Sequence, residues 1–234
     1  MLTEAIILAG GLGTRLRSEV QDLPKAMAPI NDQPFLAYQL AYLAAQGIQK
    51  VYLAVGYKSE AIVDYFGHQY QSMALEYVVE ETPLGTGGAV VQALAATQTN
   101  HVLIGNGDTM FEVDLKAMAA FHETNQANLT MALKYLEQFS RYGTVHKNEK
   151  NRIEGFEEKT YKEQGLINGG LYLLDKQCLE AYNFPEKFSL EKLFLEQEYP
   201  NLAFYGFEST GYFLDIGIPE DYKKAQEDFK QFNV

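Results

Sequence analysis

Ala5-Ile6-Ile7-Leu8-Ala9-Gly10-Gly11-Leu12-Gly13-Thr14-Arg15-Leu16, with Pro24-Lys25-Ala26-Met27-Ala28-Pro29 a few residues behind it, is the stretch from which the fold is read. Residues 5–8 are an apolar run of buried-strand length, and the run empties into a glycine-rich turn. Glycine lets a backbone come close to a ligand and take conformations that a side chain forbids. Successive exposed N–H groups in such a turn make an anion pocket. Arg15 can fork onto phosphate oxygens, and Lys25 adds a mobile positive charge. Together these features suit the grip of a nucleoside triphosphate. The plain alternative is a glycine turn between strand and loop, with Arg15 and Lys25 solvated.

Beyond this turn, strands and helices alternate. Residues 51–55, 75–79 and 102–104 read as apolar strands. Between them lie helical patterns at 35–45, ahead of a stop at Gly47, and at 60–66 and 89–96. The rhythm predicts an α/β fold of three layers, a mostly parallel central sheet with helices on both faces. Ligands of such sheets bind beyond the carboxyl ends of the strands, where residues 9–15, the loop after Val79 and Asp108 all fall. After about residue 128 come longer alternating strands, 129–136 and 166–174, and a charged helix over 219–232. No linker, repeat or low-complexity segment interrupts the chain, so one domain is expected over 1–234. Its nucleotide half would be about 1–127 and its acceptor half about 128–234.

A net charge of −12 argues against nucleic acid or an anionic membrane as partner, because both demand a basic footprint. An acidic protein that holds a polyanion must gather its few cations locally and recruit a divalent metal. Cys178 is the single cysteine and cannot form an internal disulfide, which points to the reducing cytoplasm. Glu4 and the glycine turn break the first apolar stretch, so it does not read as a signal peptide, and no run approaches a membrane span. His68, His101, His122 and His146 lack metal-ligand spacing and read as surface or packing residues.

Two common phosphate motifs are excluded. A dinucleotide fingerprint begun at Gly11 needs a small residue where Leu16 stands, and a P-loop needs Gly-Lys-Ser/Thr where the chain has Gly-Thr-Arg. With its downstream Pro24-Lys25, the segment instead resembles the signature of the sugar-nucleotidyltransferase (nucleotide-diphospho-sugar pyrophosphorylase) family. The resemblance implies a Rossmann-like fold and a nucleotide cradle of Leu8, Ala9, Gly10, Gly11, Gly13, Thr14 and Arg15. The hexapeptide β-helix that many relatives carry at the C-terminal end is missing, and a homodimer through sheet or helix surfaces is one option for such a chain.

Four further segments acquire roles from this resemblance. Glu80-Glu81-Thr82-Pro83-Leu84-Gly85-Thr86-Gly87-Gly88 follows a strand, and the family holds the nucleobase in this region, with Glu80, Gly85 and Thr86 as contacts. A carboxylate only accepts hydrogen bonds, and guanine offers it two adjacent donors, N1–H and N2–H, which favours GTP over UTP, CTP or dTTP. Asn106-Gly107-Asp108 and Phe213-Leu214-Asp215-Ile216-Gly217 each end an apolar strand in an acid. Asp108 and Asp215 are the expected pair for Mg²⁺, a hard cation that takes few protein ligands; either alone could be a turn former or helix cap. For the acceptor phosphosugar, Phe156-Glu157-Glu158-Lys159-Thr160 resembles the family's Glu-Lys-Pro element, with Thr160 where proline is usual. Glu158 would meet sugar hydroxyls and Lys159 the sugar phosphate, joined by Asn168, Gly169 and Gly143. The plain readings are an exposed charged turn at 157–159 and a strand bulge at 169–170.

The implied reaction is nucleotidyl transfer without a covalent enzyme intermediate, with Arg15, Lys25 and Asp108 as the catalytic residues. Both substrates are small molecules, an NTP and a sugar 1-phosphate. Segments 16–25, 81–88 and 215–222 look most like the D-glycero-α-D-manno-heptose 1-phosphate guanylyltransferases within the family. Mannose 1-phosphate or another hexose 1-phosphate stays open as acceptor. A reading of another class is a nucleotide-sugar sensor without catalysis, against which the joint presence of Arg15, Lys25 and Asp108 argues.

Overall fold

The structure is a computed structural model that describes residues 2–11, 16, 20 and 23–232. In chain order the elements begin with β1 (Glu4–Leu8), a small ribbon of β2 (Pro29–Ile30) and β3 (Gln33–Pro34), α1 (Phe35–Ala45), β4 (Lys50–Val55) and α2 (Ser59–Phe66). Next come β5 (Gln69–Tyr70), β6 (Met73–Val79), α3 (Gly85–Leu94), β7 (His101–Asn106), β8 (Thr109–Phe111) and α4 (Leu115–Thr124). The second half holds β9 (Leu129–Phe139), β10 (Thr144–Lys147), β11 (Ile153–Glu157), β12 (Lys162–Asp175) and α5 (Lys176–Glu180). A π-helical turn (Leu190–Leu195) leads into α6 (Glu196–Glu198), followed by β13 (Phe204–Glu208), β14 (Phe213–Asp215) and α7 (Pro219–Asp228).

The four expected apolar runs form the parallel heart of a mixed sheet, in the order β7-β1-β4-β6. Strands β1, β4 and β7 lack an exposed polar face because helices cover both sides, whereas β6 buries Met73 and Leu75 and leaves Ala74 and Val79 exposed. Alternation along β1 sorts the side chains: Ala5 and Ile7 enter the core under α1 and α2, and Ile6 enters the one under α3. Helix α1 has the predicted bounds. Its Leu36, Leu40 and Leu43 pack on the sheet, while Phe35 and Tyr38 face a third core with Leu214, Ile216 and Phe229.

Beyond β7 the sheet turns antiparallel. Strand β12 pairs β7 on one side, with Leu171 opposite Gly105, and β9 on the other. Its register breaks between Asn168 and Tyr172, and Gly170 there has φ of 70°. The sheet is therefore mixed: β1, β4, β6 and β7 run parallel, β12 is antiparallel to β7 and β9, and the chain returns through α5, the π-helical turn and α6 to β13, which pairs β9 in parallel. Strand β9 runs three residues past the expected 129–136, and β12 starts four residues before 166. Helix α3 starts at Gly85, ahead of the expected 89–96, and the 219–232 pattern divides into α7 and a 3-10 turn, Phe229–Gln231.

Buried polar groups brace the edge of the sheet opposite the strand ends. The Glu4 carboxylate accepts the N–H groups of Gln98 and Thr99 (both 2.9 Å) and the hydroxyls of Thr99 (2.8 Å) and Tyr52 (3.0 Å). Burial alone would raise this carboxyl, but the donors from Thr99, Gln98 and Tyr52 outweigh it and hold it below its ordinary value. His122 is buried against the His101 ring and bonded to Thr130 Oγ1 at 2.9 Å. Burial, aided by His101, lowers it to about 4 and keeps it neutral, so it is a packing residue as expected. Among the described residues no helix is long and apolar enough to cross a membrane.

Glu4→Gln places an amide where four donors converge and should cost about 2 kcal/mol at neutral pH, measured by urea unfolding. Because the folded carboxyl lies below its unfolded value, the stabilisation is full above the ordinary range and lost as pH falls through the lowered value. The gap between wild type and variant should therefore close in acid.

Candidate active site

Strands β1, β4, β6 and β7 point their carboxyl ends at one cleft of about 610 Å³, walled by Ala9–Gly11, Gly56–Tyr57, the Glu80–Gly85 loop and Asn106–Asp108. Ladder bonds extend past the strands, Ala9 N–H to Ala54 O (2.8 Å) and Glu80 N–H to Val55 O (2.8 Å), and they set where each loop leaves the sheet. A Cβ on Gly10 would lie 2.7 Å from Glu80 Oε1 and 3.3 Å from the Gly56 nitrogen, so the first turn and the Glu80–Gly85 loop run close together here. Glu80 Oε2 accepts the Leu84 N–H at 3.0 Å, which closes the loop on itself. Gly85 has φ of 72°, and the carbonyl of Phe188 lies where its Cβ would be, so α3 can start only with glycine.

At the floor of the cleft three charges meet. Lys25, on a 3-10 turn anchored by buried Ala26 and Met27, places Nζ 2.5 Å from Asp108 Oδ2 and 3.7 Å from Asp215 Oδ1. The aspartates are brought together by the β8–β14 ribbon, where Asp215 faces Thr109 and the Ile216 N–H bonds Asp108 O at 3.0 Å. Burial and the nearby Asp108 charge raise the Asp215 carboxyl above its ordinary value, against the pull of Lys25 and the Gly217 N–H. A carboxylate pair with charge to spare suits a hard cation that completes its shell with phosphate oxygens. Among the described residues there is no cluster of three or more Asp, Glu, His or Cys that could hold a metal ion.

A second cavity, about 390 Å³, lies on the β10–β12 side. Gly143, Glu158, Lys159, Asn168 and Gly169 all line it, together with Tyr142, Lys192 and Asp215. Two of the expected acceptor contacts already have partners. Glu158 pairs with Lys192 (2.6 Å), which holds its carboxyl below the ordinary range. Asn168 donates to the Tyr172 hydroxyl (2.8 Å) and accepts the Gly170 N–H (2.9 Å), so its amide shapes the bulge in β12. The bulge and the cavity wall are thus one feature. Asn106 and Glu191 line both cavities.

Lys25, Asp108, Asp215, Leu8, Ala9, Gly10, Gly11, Glu80, Gly85 and Thr86 surround the first cavity or its border with the second. Gly13, Thr14 and Arg15 lie outside the described residues. Thr86 lines the first cavity, and its hydroxyl donates to Glu191 Oε2 at 2.7 Å. Gln39 is missing from the sequence reading. Its Nε2 donates to the carbonyls of Asn106 (2.8 Å) and Thr109 (2.6 Å), so α1 clamps the turn that carries Asp108. The available signal was a lone amide, nearly inaccessible, in an otherwise apolar helix face.

Residues 4–231 match the nucleotidyl transferase family, and the chain belongs to it. A D-glycero-α-D-manno-heptose 1-phosphate guanylyltransferase from Aneurinibacillus thermoaerophilus is 50% identical, over 98% of this chain and 99% of its own. One from Campylobacter jejuni is 47% identical over 94% and 96%. The crystal structure of HddC from Yersinia pseudotuberculosis complexed with GMP-PN superposes with a TM-score of 0.86 at 36% identity, covering 97% of this chain and 100% of that one.

Asp215→Asn removes a charge that the fold disfavours. In EDTA its thermal midpoint should exceed that of wild type at neutral pH. The gain should shrink as pH falls through the raised value of Asp215 and vanish below the ordinary 3.8, where both states are protonated.

Proposed function

We propose that the chain is a guanylyltransferase that joins GTP to D-glycero-α-D-manno-heptose 1-phosphate, giving the GDP-heptose and pyrophosphate. The observation that carries this reading is the Lys25–Asp108–Asp215 cluster, set where a cleft at the parallel strand ends meets a second, carboxylate-lined cavity. Glu80 beside Gly10 supports guanine, because it presents an acceptor-only edge to the base loop. The 50% identity to a named heptose 1-phosphate guanylyltransferase over nearly the full length supports the acceptor.

An oxygen of the sugar phosphate attacks the α-phosphorus of GTP. The new P–O bond forms as the bond from the α-phosphorus to the bridging oxygen breaks, and pyrophosphate leaves with that electron pair. A phosphate dianion is already nucleophilic, so no general base is needed. The barrier lies in bringing two polyanions together and in stabilising the charge that moves to the leaving oxygens. Lys25 neutralises charge at the α-phosphate, and Lys159 holds the incoming phosphate in the second cavity. We assign the β- and γ-phosphates to Gly10 and Gly11 together with Gly13, Thr14 and Arg15. Asp108 and Asp215 would hold Mg²⁺, which supplies further positive charge beside the α-phosphate. We assign residues 1–127 to the nucleotide and 128–234 to the acceptor within one domain, at work in the cytoplasm.

Pyrophosphate release over a panel of NTPs and sugar 1-phosphates tests the reading. GTP with the heptose phosphate should turn over fastest. Faster turnover with UTP or dTTP would overturn the role of Glu80, and binding without turnover of any pair would mark a sensor. Lys25→Ala should lower kcat by about 10²–10³, in line with the loss of one group that stabilises transition-state charge; a change of only a fewfold would exclude that role.

A further inference from the structure

Thr86 and Glu191 form a link across the wall between the two cavities. Thr86 is the second residue of α3, and Glu191 is the second residue of the π-helical turn. The Thr86 hydroxyl works both ways: it donates to Glu191 Oε2 (2.7 Å) and accepts the Leu190 N–H (2.9 Å). Ser189 Oγ donates to the same carboxylate oxygen at 2.7 Å. Two main-chain bonds run alongside, Phe188 N–H to Leu84 O (2.9 Å) and Gly87 N–H to Phe188 O (3.0 Å). The start of α3 and the π-helical turn are therefore one bonded unit. A π-helical turn is rare and, where it occurs, is frequent at functional sites.

A hydroxyl committed in both directions inside the protein has little left for a nucleotide. A carboxylate has about four lone-pair positions, and the two hydroxyl donors use two of them, so Glu191 keeps acceptor capacity while its orientation is held. Glu191 borders both cavities, but its neighbours Ser189 and Lys192 line the acceptor cavity alone. The carboxylate complements a ligand rich in hydroxyl donors, and a free sugar ring is one.

We infer that Thr86 is a positioning residue for the acceptor and not a nucleotide ligand: its hydroxyl orients Glu191, whose carboxylate accepts hydrogen bonds from hydroxyls of the acceptor sugar. The inference rests on the transferase reading above. Thr86→Val keeps the shape of the side chain and removes both of its bonds. It should raise the KM for the acceptor phosphosugar about tenfold, the scale of a lost bond to a charged group, and leave the KM for GTP within twofold. Thr86→Ser should restore the wild-type acceptor KM. Glu191→Gln should produce the same split, and adding Thr86→Val to it should cost no more, since both act through one contact. A rise in the GTP KM with an unmoved acceptor KM would overturn the inference, as would full additivity of the two substitutions. Should Thr86→Val not fold, the Glu191→Gln split decides. Wild-type enzyme that turns over no substrate pair would instead sink the transferase reading itself.

Discussion

Two carboxylates held side by side with one ammonium against them are the constraint around which the rest is arranged. Asp108, Asp215 and Lys25 come from widely separated parts of the chain, and each is held by a different device. The end of β7 and the clamp from Gln39 set Asp108; the β8–β14 ribbon sets Asp215; a short 3-10 turn sets Lys25. Like charges so close are tolerable only with a cation between them, and burial sharpens the need because the interior screens poorly. The raised Asp215 carboxyl is the direct sign of this tension. It is also what makes the place receptive to further positive charge.

The third core explains why the far end of the chain belongs to this arrangement. Phe229, beyond α7, packs edge-on to Tyr38 with ring centroids 4.8 Å apart, and Leu214 and Ile216 flank Asp215 in the same cluster. Arg141 pairs with Asp221 at 2.5 Å and donates to the Tyr142 hydroxyl at 2.9 Å, which ties α7 to the acceptor cavity. The acidic residues of α7 thus act as structural partners, Asp221 for Arg141 and Asp228 for the Tyr212 hydroxyl at 2.6 Å.

The parallel half was legible because a strand covered on both faces must be apolar along its whole length, and 5–8, 51–55 and 102–104 stand out in that way, with 75–79 beside them interrupted only by Glu76. Helix 35–45 was legible from its largely apolar content, broken only by Gln39 and the tyrosine hydroxyls, and the glycine behind it. The second half was harder. Which strand β12 meets on each side depends on distant partners, and the bulge at Asn168–Gly170 depends on a hydrogen bond that no local pattern announces. The site divided along the same line. Lys25, Asp108 and Asp215 follow motifs at strand ends, and all three converge. Thr86 sits in a motif that suggested a nucleotide contact, but a residue more than a hundred positions away claims its hydroxyl. Gln39 acts through two carbonyls, and backbone acceptors leave no trace in sequence.

Strand β7 is where the two pairing regimes meet, parallel to β1 on one edge and antiparallel to β12 on the other. Its last residue, Asn106, borders both cavities. In the proposed reaction this one strand would be the rail that gauges the distance between the two reactants. Loops on either flank can be rebuilt for a different base or a different sugar without moving the point at which the phosphates meet. Displacing the rail itself would spoil the chemistry for every pair at once.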